Sequence, residues 1–584
     1  MSWLCRRSAA QLFFRLHRGL TPAANTNVAA ARLVRSQNSE RRFATASRWL
    51  GEGSIQSEAR VLDLERASGY VETGDRNGVT ATATRQPPRL VVQAFWLTAS
   101  KFVAAALSIA LPVLLVRLMP QTEYGIFKEA FLFVSTTTSI ATFGVGMSAY
   151  YFMPRHPERG GQIALNILVY NFVAGWIPLI AVMFFPQVLR FLFRTDALMP
   201  FALLLGFLVL LTLTSSLVQQ IPVAMQDVRY STIFIVGTQI ARVILFAGAA
   251  LWFRSVKSIL IAALLNQLLS VAVLVWYLDV KFPRFWMHFD WQFFKEQLAY
   301  ALPYGAVGMM WVIQKDLDNY FVSHSLGPKD FAIYAVGWVD VPLLTLALES
   351  VVSVMIVRIS SLQKEDRKAD IRYITASATN QLAAIQFPLF AMLFVAGHDL
   401  IVLLYTRNYE QSANIFLVSL VLLLLGVFLL DPIIRAYKEV RNFLLVVRIG
   451  VFIALFCTLG PAIRHFGMIG AAVSTVGWQV IERILIALCA VRVVEAKVSD
   501  IRLYDDLFKV TGVTIVAGVL AHVVRNLIPP VHLIPRILAV GVCVCAVYLP
   551  AMYMLRLPGW DMLTKERITA FVKKTMGQLR SANA

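Results

Sequence analysis

Charged side chains inside the long apolar stretches of this sequence are the residues best suited to bind a ligand. Arg242 lies in the middle of the stretch 232–252, and Gln239 precedes it by three residues, so both fall on one face of a helix. Ionisable groups inside a bilayer cost about 2.5–3.5 kcal/mol on insertion scales and usually face the interior of a helix bundle. Guanidinium groups bind phosphate-type oxygens through a two-pronged fork, and ammonium groups bind them as point charges. The sequence therefore predicts a cavity with a cationic wall.

The predicted ligand-binding residues all lie inside apolar stretches, and most of them share a helical face with another polar group. Lys315 and Asn319 are four residues apart, and Asp318 lies between them, three residues after Lys315, so that they form one polar stripe. The full predicted set is Arg242, Lys315, Lys101, Arg448, Gln239 and Asn319.

Pairing between neighbouring charges is the alternative interpretation. Lys315 can neutralise Asp318, and Glu482 can neutralise Arg483, in which case these groups are structural. Arg242 has no acid three or four residues away in either direction, which favours a ligand for this residue.

Carboxylates in the apolar stretches are candidates for a proton or sodium site, because an intramembrane acid is most often functional. The candidates for such a coupling ion are Asp318, Asp340 and Glu349.

The composition requires a membrane to surround most of the chain. Of its 584 residues, 58% are hydrophobic and only 15% are charged, against about 25% charged in soluble proteins, which excludes a soluble multi-domain enzyme. The net charge of +20 would suggest nucleic acid in a soluble chain. In a membrane chain it indicates cytoplasmic loops next to anionic lipid, so we expect no nucleic-acid partner.

Motifs for energy coupling by ATP or for metal chemistry do not stand out in the sequence. No glycine-rich phosphate loop precedes a Lys-Ser/Thr pair, and the His and Cys residues have no metal-ligand spacing. We therefore expect no cofactor, no metal and no enzyme activity.

Fourteen apolar segments of about transmembrane length follow the first 90 residues. They lie near 94–116, 126–151, 163–185, 201–221, 232–252, 258–279, 298–322, 331–357, 372–396, 413–434, 443–460, 467–491, 508–526 and 536–556. Lys and Arg are more numerous in the loops after even-numbered segments, which predicts that both termini are cytoplasmic.

The two ends of the chain differ from this membrane part. Residues 1–90 are rich in Arg, Ala and Ser, so we expect a disordered basic tail, with a mitochondrial transit peptide as the alternative. Residues 557–584 are predicted to form a cytoplasmic tail with an amphipathic helix.

A short pattern occurs twice, once at the start of each predicted set of six segments. The first copy is Leu118–Phe127 and the second is Leu326–Tyr334, each with Leu-x-Pro followed by an acid, an aromatic, a small residue, Ile and an aromatic. An even number of segments per set gives both sets the same orientation, as in parallel-repeat transporters. We expect six-helix bundles at 91–290 and 291–500, followed by two further transmembrane helices at 501–556.

The same stretches resemble bacterial oligosaccharide flippases, a family within the superfamily of multidrug, oligosaccharidyl-lipid and polysaccharide exporters. The resemblance lies in Arg117–Ala130, Phe143–Tyr151, Asp318–Phe321, Leu326–Gly327 and Ile333–Gly337. It implies two six-helix bundles, with two extra C-terminal helices in many members.

The resemblance implies a flippase that carries a polyprenyl-diphosphate-linked oligosaccharide across the bacterial cytoplasmic membrane by alternating access, for polysaccharide biosynthesis. The cationic set would hold the diphosphate while amides contact sugar hydroxyls. Expected partners are the lipid-linked oligosaccharide, membrane lipid and other membrane proteins of polysaccharide assembly. The alternatives are a cation-coupled multidrug exporter of the same superfamily and an integral-membrane polysaccharide polymerase or glycosyltransferase.

Overall fold

The computed structural model of the protein describes residues 88–287, 289–338, 342–555 and 557. The predicted N-terminal tail up to residue 87, residues 558–584 with the predicted amphipathic helix, and Asp340 lie outside these residues. Every regular element in the described part of the chain is a helix, which confirms the predicted all-α fold class.

Nineteen α-helices share a mostly apolar composition and are joined by short connections in the described residues. Those before residue 290 are α1 (Pro88–Leu118), α2 (Gln121–Ala141), α3 (Ser148–Phe152), α4 (Gly160–Phe184), α5 (Gln187–Phe193), α6 (Ala202–Ser215), α7 (Leu217–Ala224), α8 (Val228–Phe253) and α9 (Val256–Lys281). Those after it are α10 (Trp291–Leu326), α11 (Pro328–Gly337), α12 (Pro342–Lys364), α13 (Lys368–Tyr405), α14 (Ser412–Ser419), α15 (Val421–Gly426), α16 (Asp431–Ala436), α17 (Lys438–Val493), α18 (Asp505–Leu527) and α19 (Leu533–Met554).

The fourteen predicted segments each overlap one or more of these helices. Within the described residues, nine helices are long and apolar enough to cross a membrane, or ten if α2 and the bent turn that follows it form one span. The protein is therefore a multi-pass membrane protein. Fourteen crossings stay a prediction, because the segment 413–434 is divided among short helices and α10 carries Lys315, Asp316 and Asp318 in its last third.

Helix α17 is too long for one crossing. Its 56 residues would extend about 84 Å at 1.5 Å per residue, whereas the hydrocarbon core of a bilayer is about 30 Å thick. Gly467 interrupts it with φ 58° and ψ −141°, a conformation that glycine adopts without steric cost. The two arms coincide with the separate segments predicted at 443–460 and 467–491.

A break divides the second predicted segment, which the sequence treats as one helix over 126–151. Phe143 and Gly144 have positive φ angles of 43° and 70°, and the chain bends by 58° between α2 and the turn beginning at Val145. Gly305 of α10 lies against this break so closely that a Cβ there would overlap the carbonyl group of Phe143. The bend thus lets α2 and α10 approach each other.

The largest buried apolar cluster joins helices from both predicted sets of six, including Tyr124 and Phe127 of α2 and Ile333 of α11. At its edge the two copies of the repeated pattern meet. Gly125 of the first copy lies so close to Pro328 of the second that a Cβ at Gly125 would overlap the Pro328 carbonyl. The repeat therefore forms a contact between the two sets.

Candidate functional site

A cavity of about 590 Å³ lies among α1, α2, α3, α6, α7, α8 and α9. Lys101 enters its wall from α1, and Gln239 and Arg242 enter it from α8. All of its lining residues lie between 101 and 270. The cavity is therefore within the first set of helices, whereas the sequence placed it between the two sets, where α2 and α10 are in contact in this structure.

Arg242 is half-buried beside two aromatic rings. Its guanidinium carbon lies 5.3 Å from the centroid of Phe246 and 5.8 Å from that of Phe131, which is the geometry of a cation–π contact. Within the described residues it has no ion pair and no hydrogen bond. Its charge thus faces the cavity, and no carboxylate is among the described lining residues.

Carboxamide groups supply much of the polar wall. Gln267 is already engaged, because its Nε2 donates to Thr212 Oγ1 at 2.9 Å and its Oε1 accepts from Ser215 Oγ at 3.1 Å. Gln220 Oε1 and Asn266 Oδ1 are buried and have no hydrogen-bond partner among the described residues. The wall therefore combines two cations with unsatisfied amides.

The predicted residues on α10 lie outside this cavity. Lys315 is exposed, with its Nζ 5.4 Å from the Trp311 ring, and it makes no ion pair with Asp318 in the described structure. Asp318 is 2% exposed and accepts hydrogen bonds from the Tyr334 hydroxyl at 2.6 Å and from the Asn319 backbone N–H at 2.9 Å. The polar stripe is therefore divided between an exposed cation and a buried acid.

Arg448 also lies apart from the cavity and is paired. Its Nη2 is 3.3 Å from Glu482 Oε1, and Gln314 Nε2 donates to the other carboxylate oxygen at 3.1 Å. The predicted pair of Glu482 with Arg483 is wrong, because consecutive helical residues point about 100° apart and Glu482 faces Arg448. Of the coupling-ion candidates, Glu349 is exposed and Asp340 is not described, which leaves Asp318 as the buried one.

Sequence reasoning missed part of the cavity wall. Gln219 and Gln220 lie at the end of the predicted segment 201–221, and Thr238 lies next to Gln239 on α8. Two adjacent glutamines in an apolar stretch were the signal available for the first two. A charge cluster outside the cavity lining was also missed, in which Asp399 binds both Arg525 and Arg536.

The sequence profile of polysaccharide biosynthesis proteins matches residues 114–414, which is more than half of the chain. The chain belongs to this family. The prediction of a family that acts in polysaccharide biosynthesis is thereby confirmed. No curated protein sequence matches this chain.

The fold of this chain is similar to the folds of two transporters whose structures have been solved. Lipid II flippase MurJ in an inward closed conformation aligns with a TM-score of 0.59 and 15% identity, over 81% of this chain and 100% of MurJ. An inward-facing multidrug resistance MATE transporter of the MOP superfamily aligns with a TM-score of 0.56 and 15% identity, over 69% of this chain and 98% of that chain. At this identity the similarity establishes a shared fold.

Proposed function

We propose that this polysaccharide biosynthesis protein is a flippase for a polyprenyl-diphosphate-linked oligosaccharide. The observation that supports it is Arg242, a cation inside a cavity whose described lining residues include no carboxylate. Such a wall attracts an anionic headgroup, and the guanidinium fork suits phosphate oxygens. The lipid tail stays in the bilayer while the charged head passes through the protein. Lys101 and Gln239 line the same cavity and complete the proposed headgroup site.

The membrane and the orientation are part of the same proposal. A flippase of this kind works in the bacterial cytoplasmic membrane, takes its substrate from the cytoplasmic leaflet and releases it in the outer leaflet. The excess of Lys and Arg in the even-numbered loops supports cytoplasmic termini. Membrane proteins that assemble the polysaccharide are the proposed partners.

Leaflet exchange in proteoliposomes tests the proposal directly. A fluorescent polyprenyl-diphosphate oligosaccharide is incorporated, and quenching from outside reports its exchange. Arg242→Ala removes a charge-assisted contact worth about 1.5–3 kcal/mol, so exchange should fall about ten- to a hundredfold. Arg242→Lys keeps the charge without the fork and should lose less.

Arg229→Ala is the matched control, because Arg229 is exposed in the first turn of the same helix and lies outside the cavity lining. Equal exchange by both alanine variants would contradict the proposed site. Movement of a cationic dye in place of the lipid would favour the multidrug exporter, although the cavity lacks the carboxylate that such a substrate prefers. Lengthening of sugar chains would favour the polymerase.

A further inference from the structure

Three carboxamides without partners surround one cavity. Gln220 of α7, Gln239 of α8 and Asn266 of α9 all line it, and none has a side-chain hydrogen bond to another described residue. The oxygens of Gln220 and Asn266 are buried. Since a buried polar atom without a partner costs about 1–3 kcal/mol, rotation of these side chains toward a ligand group that pairs with their oxygens is favoured.

The unsatisfied oxygens distinguish between possible ligand groups. They are acceptors, so their partner must donate a hydrogen bond. The oxygens of an ionised phosphate diester only accept, and they therefore suit Arg242 and Lys101 but not these amide oxygens. A sugar hydroxyl donates one hydrogen bond and accepts others, and a carboxamide does both. The amides thus match a hydroxyl-bearing group that lies beside the phosphates.

The charges of the lining restrict that group further. Among the lining residues that the structure describes, Lys101 and Arg242 are the cations and none is a carboxylate. A diphosphate whose phosphates each carry one negative charge neutralises both of these cations. A carboxylate on the adjoining sugar would then be buried without a cation, and an ammonium group would be buried without an anion. An unpaired buried charge is strongly unfavourable.

We propose that Gln220, Gln239 and Asn266 form the subsite for the sugar next to the diphosphate, and that this subsite selects an uncharged sugar. The inference rests on the proposed flippase function. It adds the substrate class that the cavity accepts.

The test uses the full-length protein in proteoliposomes with three fluorescent substrates that share one polyprenyl diphosphate. Their first sugars are glucose, glucuronic acid and glucosamine, which keep the pyranose ring and differ in charge. The wild-type protein should exchange the glucose substrate at least tenfold faster than either charged one. Similar exchange rates for all three substrates would overturn the inference of sugar selectivity but would agree with the proposed flippase function. Exchange of none of them would instead contradict the proposed function.

Substitutions in the subsite separate recognition from folding. Asn266→Leu and Gln239→Leu should lower glucose exchange about tenfold, whereas Gln381→Leu, an exposed glutamine on α13, should leave it unchanged. Asn266→Asp places an anion next to the sugar and should raise the glucosamine-to-glucose ratio at least tenfold. An Asn266→Asp variant that still exchanges glucose and has the wild-type glucosamine-to-glucose ratio would overturn the assignment. An unfolded variant is distinguished from this outcome because it loses exchange of both substrates.

Discussion

Asp318 is a deeply buried acid in the membrane part of the structure. It is 2% exposed, and it accepts hydrogen bonds from the Tyr334 hydroxyl and from the backbone N–H and side-chain amide of Asn319, none of which is a cation. A buried carboxylate without a cation is costly in its charged form, so it either holds a proton or binds an ion. We propose that Asp318 binds the coupling ion.

Asp318→Asn retains the size of the side chain and an oxygen that accepts from Tyr334, but it removes the charge. An imposed proton or sodium gradient should therefore no longer accelerate flipping, while exchange without a gradient persists. Proteoliposomes with and without each gradient measure this. Glu349→Gln, at an exposed candidate, serves as the control and should respond normally. A normal response of Asp318→Asn would remove Asp318 from coupling.

The residues of the site differ in how far the sequence alone identifies them. The sequence indicates that Arg242 and Gln239 line a cavity, because they lie within one helical turn and no acid three or four residues away can pair with Arg242. The pair of Arg448 with Glu482 was not predictable, since 34 residues separate them. The break at Gly467 folds the two arms of α17 back on each other and so brings the pair together. Local spacing contains no information about such a contact.

At the scale of elements, a charge cluster fastens the last two helices to α13. Asp399 is 2% exposed and binds Arg525 Nε at 2.6 Å and Arg536 Nη1 at 3.2 Å. Arg525 lies on α18 and Arg536 on α19, so one carboxylate holds both helices.

Asp399→Ala should destabilise the protein by about 3–5 kcal/mol, because it leaves two guanidinium groups largely buried without their anion. Thermal unfolding in detergent should show a clear fall in Tm. Asp370→Ala breaks an exposed pair with Arg367 and should cost less than about 1 kcal/mol. Identical Tm values for the two variants would contradict a fastening role for Asp399.

Helix boundaries were predictable where apolar runs end and less so where packing breaks a helix. The segments at 232–252 and 258–279 correspond closely to α8 and α9. The bend after α2 was not predicted, because the run 126–151 stays apolar through it. Gly305, from a helix about 160 residues later in the chain, packs against the bend. Gly144 and Gly146 were the available signs of a break.

At the scale of the whole molecule, one end of the two helix sets is closed by contacts between them. Arg117 Nη2 donates to the Leu403 carbonyl at 2.5 Å, and Gln121 Nε2 donates to that of Asn408 at 2.9 Å. Gly125 and Pro328 pack beside them. The predicted orientation places this closure at the outer face of the membrane.

Gly125→Val should loosen the closure, because its side chain overlaps the Pro328 backbone. Spin labels at the exposed positions Lys257 and Lys329, introduced after the native cysteines are replaced, should show a longer and broader distance distribution in nanodiscs. Gly308→Val is the matched control, since no atom lies within 4 Å of a Cβ there. An unchanged distribution for Gly125→Val would show that this contact does not hold the closure.

The contact between the two copies of the repeated pattern resembles the isologous interface of a symmetric dimer, where one surface meets its own counterpart. In a homodimer each substitution occurs twice, so both subunits bear its consequences. When the two copies are joined in one chain, a substitution can occur in one copy alone, so the two copies can diverge in sequence. Arg242 remains without an anion in the first set, while Arg448 is neutralised by Glu482 in the second. The predicted duplication within one chain would therefore permit one half to bind the proposed ligand and the other to support it.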